Sequence, residues 1–113
     1  MSGRKNNLVV YTSLDAGDMT GNLTSAVTDI RWLDNIVLYL SWTGTPTGTF
    51  QVEVSPEGST WYNLLLVPAP AASGSASTAR ISLNQLPDAY IRVSYTATSS
   101  TGALTVKIAG KML

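Results

Sequence analysis

The sequence predicts an all-β fold: a single antiparallel β-sandwich of about seven or eight strands over residues 8–113, jelly-roll-like or, as the alternative, immunoglobulin-like. Short apolar runs recur every roughly 10 to 14 residues, with Gly- or Pro-containing turns between them. No segment repeats its apolar residues with the 3.6-residue period of a helix. Ser and Thr fill 27 of the 113 positions. The absence of Cys removes the Cys…Trp…Cys pattern of a true immunoglobulin domain and favours the jelly roll.

The chain begins with a polar segment that precedes the first strand. Residues 1–7 are predicted to be a flexible arm, and residues 8–12 (LVVYT) to be the first strand. The stretch 13–22 is rich in Asp and Gly and is predicted to be a loop. A short edge strand is expected at 23–27.

Residues 35–42 (NIVLYLSW) are the clearest predicted strand, because apolar residues fill both alternating sets. One face carries Ile36, Leu38, Leu40 and Trp42. The other face carries Val37 and Tyr39. A strand that is apolar on both faces is either a central strand covered on both sides or has one side in a contact with another subunit. We therefore predict that Val37 and Tyr39 form an oligomer interface.

The second half of the chain alternates predicted strands with turns. Turns are expected at 43–49 (TGTPTGT), 56–59 and 99–102, and an exposed low-complexity loop at 68–77. The remaining strands are predicted at 50–55, 61–67, 81–83, 91–96 and 104–108.

Charge and composition exclude several functions. Seven basic and seven acidic residues cancel, so no net field favours nucleic acid or an anionic membrane. No apolar run approaches the roughly 20 residues of a membrane span, and no signal-peptide apolar region follows the N-terminus. His and Cys are absent, which removes the usual general base and the usual metal ligands. We expect no catalytic site, no metal site and no cofactor.

The carboxylates offer only a thin basis for an enzyme. A hydrolase needs two of them facing one another across a cleft. The spacing of Asp15 and Asp18 weakly resembles a calcium-binding loop, but Asp and Gly are also ordinary loop formers. The basic residues are scattered, and Arg92 and Lys107 are predicted to pair with acids or to border an interface.

The aromatic residues suggest an alternative function, a carbohydrate-binding module that stacks sugar rings on exposed Trp side chains. Trp42 shares the alternation of a core-facing set and is predicted to be buried. Trp61 follows a turn and suits either the end of a sandwich or an exposed contact. Trp32 lies outside any alternation and is the best candidate for exposure. Trp32 and Trp61 are therefore the possible exposed aromatic contacts.

Several segments together resemble small β-sandwich virion proteins of bacteriophages. They are LDNIVLYLSWTGTPTGTFQVEVSPEGSTWYNL at 33–64, LNQLPDAYIRVSYT at 83–96 and GALTVKIAGKM at 102–112. In that group a strand ending in aromatic-Thr-Gly leads through Thr-Pro-x-Gly to a strand of the form TFQVEVS, and a Trp opens a later strand. Here Thr43, Gly44, Pro46 and Gly48 match the turn, Trp61 the strand opening, and 90–95 the later strand.

The resemblance implies a non-enzymatic structural protein of the virion, either a capsid decoration or spike protein or a small tail or neck component. It implies no cofactor. The expected partners are further copies of the chain, with a trimer favoured, and other virion proteins. The expected location is the virion, after synthesis in the cytoplasm of the bacterial host.

Overall fold

The computed structural model describes residues 8–64, 66, 70–72, 78–83, 87–99 and 101–112; the predicted arm at 1–7 lies outside them. These residues contain ten strands and no helix, and therefore no helix able to cross a membrane. The strands are β1 (Leu8–Asp18), β2 (Leu23–Thr24), β3 (Thr28–Asp29), β4 (Leu33–Trp42), β5 (Thr47–Ser55), β6 (Tyr62–Leu64), β7 (Ala71–Ala72), β8 (Thr78–Leu83), β9 (Tyr90–Ser99) and β10 (Ala103–Met112).

Two antiparallel sheets pack face to face. The front sheet has the order β1–β10–β4–β8. In the back sheet β9 and β5 are central, β2 and β3 both pair with β9, and β6 and β7 both pair with β5. If each interrupted edge counts as one strand, the sandwich has eight strand positions, and this order is that of a jelly roll. The connections β3–β4, β4–β5, β8–β9 and β9–β10 all pass from one sheet to the other. An immunoglobulin sandwich instead joins consecutive strands by hairpins within each sheet, so that topology is excluded.

The core lies between the sheets, where the alternation of β4 and β5 predicts it. Ile36, Leu38, Leu40 and Trp42 are all buried on β4, as predicted. Across the gap, β5 and β9 contribute buried Val and Ile side chains and two rings. The rings of Trp42 and Phe50 are 5.3 Å apart between centroids, and those of Phe50 and Tyr95 are 5.2 Å apart. This aromatic cluster joins the two sheets at one end of the sandwich.

Three predicted boundaries are wrong. The segment from Ser13 to Asp18, predicted to be a loop, continues β1, because β10 pairs with Leu14, Gly17 and Asp18. The pairing is irregular at Leu14, and Ala16 has a left-handed backbone (φ 52°), so the Asp- and Gly-rich sequence lies in a bulged strand. β5 begins at Thr47, so Gly48 lies in that strand instead of the preceding turn. Ala71–Ala72, in the predicted exposed loop at 68–77, form β7 by pairing with β5, and Ala72 is buried.

The connection between β4 and β5 is fixed by the turn that joins β9 to β10. The N–H of Thr43 donates to the carbonyl of Ala103 (3.0 Å), and the N–H of Ala103 donates to the Thr43 hydroxyl (3.1 Å). Gly44 and Gly102 face one another here with positive φ values of 76° and 140°. A side chain at either position would meet the backbone of the opposite turn, which explains Gly at both.

Candidate functional site

The outer surface of the front sheet carries an apolar patch. Residues directly opposite in an antiparallel ladder share a face. Ala109 pairs with Val10 on one side and with Val37 on the other, so these three lie in one row across β1, β10 and β4. Tyr39 and Leu8 lie two residues away along their strands, on the same side. Leu8 and Val10 are exposed, Tyr39 is 42% exposed, Val37 is half-buried, and Ala109 between them is only 2% exposed. These five residues are called the apolar front face.

Cationic side chains border the apolar front face. Lys107 and Arg80 lie opposite Tyr39 on its two neighbouring strands, and Lys111 lies opposite Leu8. The Arg80 guanidinium is 5.9 Å from the centroid of the Tyr39 ring, a cation–π distance. Within the described part of the chain, none of the three cations forms an ion pair. Lys107 and Lys111 lie on the middle strand β10 on either side of Ala109, and Asp34 lies opposite Lys111, so charged and apolar side chains are interspersed on this surface.

The predicted interface residues Val37 and Tyr39 both lie on this surface, but their role in assembly stays a prediction. The contribution of β1 and β10 to this surface was not predicted. A signal was present, because Leu8 and Val10 alternate with the inward-facing Val9, as on β4. That pattern could have marked β1 as a second strand with two apolar faces.

Trp32 projects from a tight turn between β3 and β4. The N–H of Leu33 donates to the carbonyl of Ile30 (3.1 Å), and the side chains of Ile30 and Leu33 are both buried. Arg31 is fixed by Asp29: its Nη2 lies 2.6 Å from Oδ2, its Nε 3.0 Å from Oδ1, and its backbone N–H donates to Oδ1 at 3.0 Å. Trp32 itself is 67% exposed. A large ring is therefore held in solvent by an anchored turn.

The ion pair between Arg31 and Asp29 sets the charge next to Trp32. Hydrogen bonds from the Arg31 side chain and backbone hold the pKa of Asp29 below its usual range, so the carboxyl stays ionised at neutral pH. The guanidinium lies 5.5 Å from the centroid of the Tyr90 ring as well. Arg31 is thereby engaged on two sides.

An open groove of about 340 Å³ lies next to Trp32, between the edge strand β1 of the front sheet and the β2–β3 edge of the back sheet. The N–H of Ala26 donates to the carbonyl of Ser13 (2.8 Å) and joins these two edges. The residues that line it, called the edge groove, are Tyr11, Thr12, Ser13, Ala26, Val27, Thr28, Asp29 and Trp32. Trp32 was singled out from the sequence, but Tyr11 and Val27 were not, because nothing in their spacing shows that the two edges meet.

Trp61, the second predicted aromatic contact, is not a free platform. It is only partly exposed, and the Arg92 guanidinium lies 4.2 Å from its ring centroid. Arg92 also binds Glu53, with Nε 2.8 Å from Oε1, which confirms that Arg92 pairs with an acid. One face of the Trp61 ring is therefore occupied by the protein itself.

The other carboxylates form no common site. Asp15 and Asp18 lie on β1, and the Asp18 carboxylate accepts the N–H of Thr20 (3.0 Å), which lowers its pKa. Within the described ranges, no group of three or more His, Cys, Asp or Glu side chains is placed to hold a metal ion.

Comparison with known proteins adds information on the fold. No protein-family model and no curated protein sequence matches the chain. One solved structure with a similar fold is the enzymatically active domain of tailspike protein 4 of bacteriophage CBA120, at 10% identity and a TM-score of 0.51. The match covers 94% of this chain and 19% of that chain.

Two further structures resemble the chain at slightly lower scores. The SPBc2 prophage-derived protein YomS has 12% identity and a TM-score of 0.49 over 91% of both chains. CpGH89CBM32-6, produced by Clostridium perfringens, has 13% identity and a TM-score of 0.45 over 91% of this chain and 93% of that one. Structural neighbours thus include a prophage-derived protein and a phage tailspike domain. At 10% identity, the tailspike match shows a shared fold alone.

Proposed function

We propose that the chain is a non-enzymatic structural protein of a bacteriophage virion, a capsid decoration or spike protein or a tail or neck component, that assembles with copies of itself. The observation that carries the proposal is the apolar front face. Contiguous exposed apolar side chains are uncommon on soluble monomers and mark interaction surfaces. The sequence resemblance to small phage virion proteins supports the phage context, and a shared fold with a phage tailspike domain is compatible with it.

The apolar front face has the composition of an interface core. Tyr39 offers a large ring with few rotatable bonds, of the kind that contributes strongly at protein interfaces. Val10 and Val37 flank the buried Ala109 and supply the exposed apolar surface of this row. Arg80, Lys107 and Lys111 supply polar groups to this contact.

We favour a trimer held by heterologous contacts, in which the apolar front face meets a different surface of the next copy. Such contacts form a closed ring when the rotation between neighbouring copies closes, and an open filament when it does not. The face carries charges of both signs, because Asp34 lies opposite Lys111.

Replacing Tyr39 by Asp tests the assembly. We expect Tyr39→Asp to dissociate the oligomer, because a carboxylate would replace the large apolar ring and would have to be buried in the interface. The isolated subunit should tolerate it, since Arg80 and Lys107 flank the position. Light scattering coupled to size exclusion gives the absolute mass of the variant.

Tyr62→Asp is the matched control, because Tyr62 is 56% exposed on β6 of the back sheet. It should keep the wild-type mass. Far-ultraviolet circular dichroism should show the same strand content in both variants. A Tyr39→Asp protein with the wild-type oligomeric mass would contradict an interface on the front face.

A further inference from the structure

We infer that the edge groove is a binding site for a single neutral hexopyranose ring, which adds a ligand-binding function to the proposed structural one. This function needs neither the apolar front face nor an oligomer, because all the groove residues belong to one copy of the chain. The groove volume of about 340 Å³ lies at the lower end of the range for ligand sites, roughly 300–1,000 Å³. It therefore suits one sugar ring of a glycan.

The apolar side of the groove suits the C–H face of a sugar ring. Trp32, Tyr11 and Val27 line it and are all exposed. The face of an aromatic ring carries partial negative charge, and the C–H groups of a pyranose carry partial positive charge, so the two surfaces stack. The anchored turn between Ile30 and Leu33 fixes the backbone at Trp32 before any ligand arrives, which lowers the entropic cost of binding.

The polar side of the groove supplies a fixed hydrogen-bond acceptor for sugar hydroxyls. An ionised carboxylate has about four acceptor positions. Three N–H groups of Arg31 make four contacts with Asp29, two on each carboxylate oxygen, because the single Nε proton is shared between Oδ1 and Oδ2. The Asp29 side chain is still 35% exposed beside the groove. A sugar hydroxyl can therefore donate to Oδ2 in place of the longer, shared Nε contact of 3.2 Å.

The charges at the groove select against acidic sugars. Among the residues that line the groove, Asp29 carries the charge, and none is Lys or Arg. The neighbouring Arg31 is already engaged by Asp29 and by the Tyr90 ring. A carboxylated sugar would approach Asp29 with no free cation to balance it, so a neutral ring is expected.

The experiment follows the indole N–H signals of the three Trp residues by NMR of the ¹⁵N-labelled protein. The probes are the methyl β-glycosides of galactose, glucose, mannose, N-acetylglucosamine and N-acetylgalactosamine, each titrated to about 50 mM, which detects millimolar affinity. We expect at least one probe to shift the Trp32 signal saturably and to leave that of the buried Trp42 unchanged. Trp32→Ala should weaken the binding about tenfold or more, as loss of a central Trp does at other interfaces.

Trp61→Ala is the matched control and should change the affinity less than about twofold, since the Trp61 ring packs under Arg92. Tyr39→Asp should bind the same sugar as the wild type, which separates this site from assembly. The inference would be overturned if none of the five probes shifts Trp32 saturably. It would also be overturned if Trp32→Ala binds as the wild type does, or if N-acetylneuraminic acid binds more tightly than every neutral probe.

Discussion

Individual small residues decide how closely the sheets and turns approach one another, and Gly48 is the clearest case. It lies on β5 beneath the ring of Tyr95, where an added Cβ would come within 2.6 Å of Tyr95 Cε1. The same ring belongs to the aromatic cluster with Phe50 and Trp42. Any side chain at position 48 must therefore displace a ring at the centre of the core.

Gly48→Ala should lower the free energy of unfolding by about 3 kcal/mol, because it overpacks this site. Gly21→Ala is the control, since nothing lies within 4 Å of the position where its Cβ would be. It should change stability by less than about 0.5 kcal/mol. Urea denaturation of the two variants gives the comparison. An equal loss in both would contradict a packing role for Gly48.

The role of Gly48 could not be predicted from sequence, because TGTPTGT is equally good turn sequence throughout. The position of Gly48 under Tyr95 depends on the register between β5 and β9, in which it pairs with Ala97. By contrast, the burial of Trp42 was predictable, because it follows the alternation of its own strand.

At the scale of elements, the connection after β5 is ordered by side-chain hydrogen bonds. The buried Ser55 hydroxyl donates to Oε1 of Glu57 (2.9 Å) and accepts the N–H of Gly58 (2.8 Å). The N–H of Thr60 donates to the same Glu57 carboxylate (2.9 Å). Gly58 has a φ of 89°, which favours Gly at this point of the turn. The turn thus depends on an ionised Glu57.

This dependence predicts a pH effect. The hydrogen bonds from Thr60 and Ser55 lower the pKa of Glu57 from its ordinary 4.5. A carboxyl with a lowered folded-state pKa stabilises the protein above its unfolded-state pKa, and the contribution is lost as the pH falls through the folded-state pKa. Glu57→Gln should therefore lower the urea midpoint at about pH 7 and have little effect at about pH 3.

Asp15→Asn is the control for that series. Asp15 is an exposed carboxylate on β1, and the described structure shows no hydrogen bond to it. Its substitution should leave the urea midpoint close to that of the wild type at both pH values. A Glu57→Gln effect of equal size at the two pH values would contradict a role for the charge.

The strands were predictable to different degrees for a physical reason. β4 and β5 alternate regularly, so their existence and their buried faces follow from the sequence. The second half of β1 contains Asp15, Gly17 and Asp18, which are poor strand residues on any local scale. It is a strand because β10 pairs with it, and this tertiary contact overrides local propensity.

At the scale of the whole molecule, the strand order could not be predicted from the sequence. Alternation shows which side chains share a face, but it does not show which strands are neighbours. The jelly-roll order brings β1 beside β10 and β10 beside β4, and this creates the apolar front face. The same order brings the β1 edge beside the β2–β3 connection and creates the edge groove. Trp32 was identifiable alone, but its partners Tyr11 and Asp29 were not.

The two proposed surfaces lie on different parts of the sandwich. The apolar front face covers the outside of the front sheet, and the edge groove opens at its β1 edge. Assembly through the face of one sheet can therefore leave a ligand site at an edge open. Such an arrangement suits a virion component that is held by its neighbours and still contacts a glycan.

The most direct test of the structural proposal is the absolute mass of the wild-type protein in solution. Light scattering coupled to size exclusion should be recorded at two protein concentrations tenfold apart. We expect a mass of three times the 12.0 kDa of one chain, or that of another closed ring, unchanged between the two concentrations. A 12.0 kDa monomer at both concentrations would contradict assembly through the apolar front face.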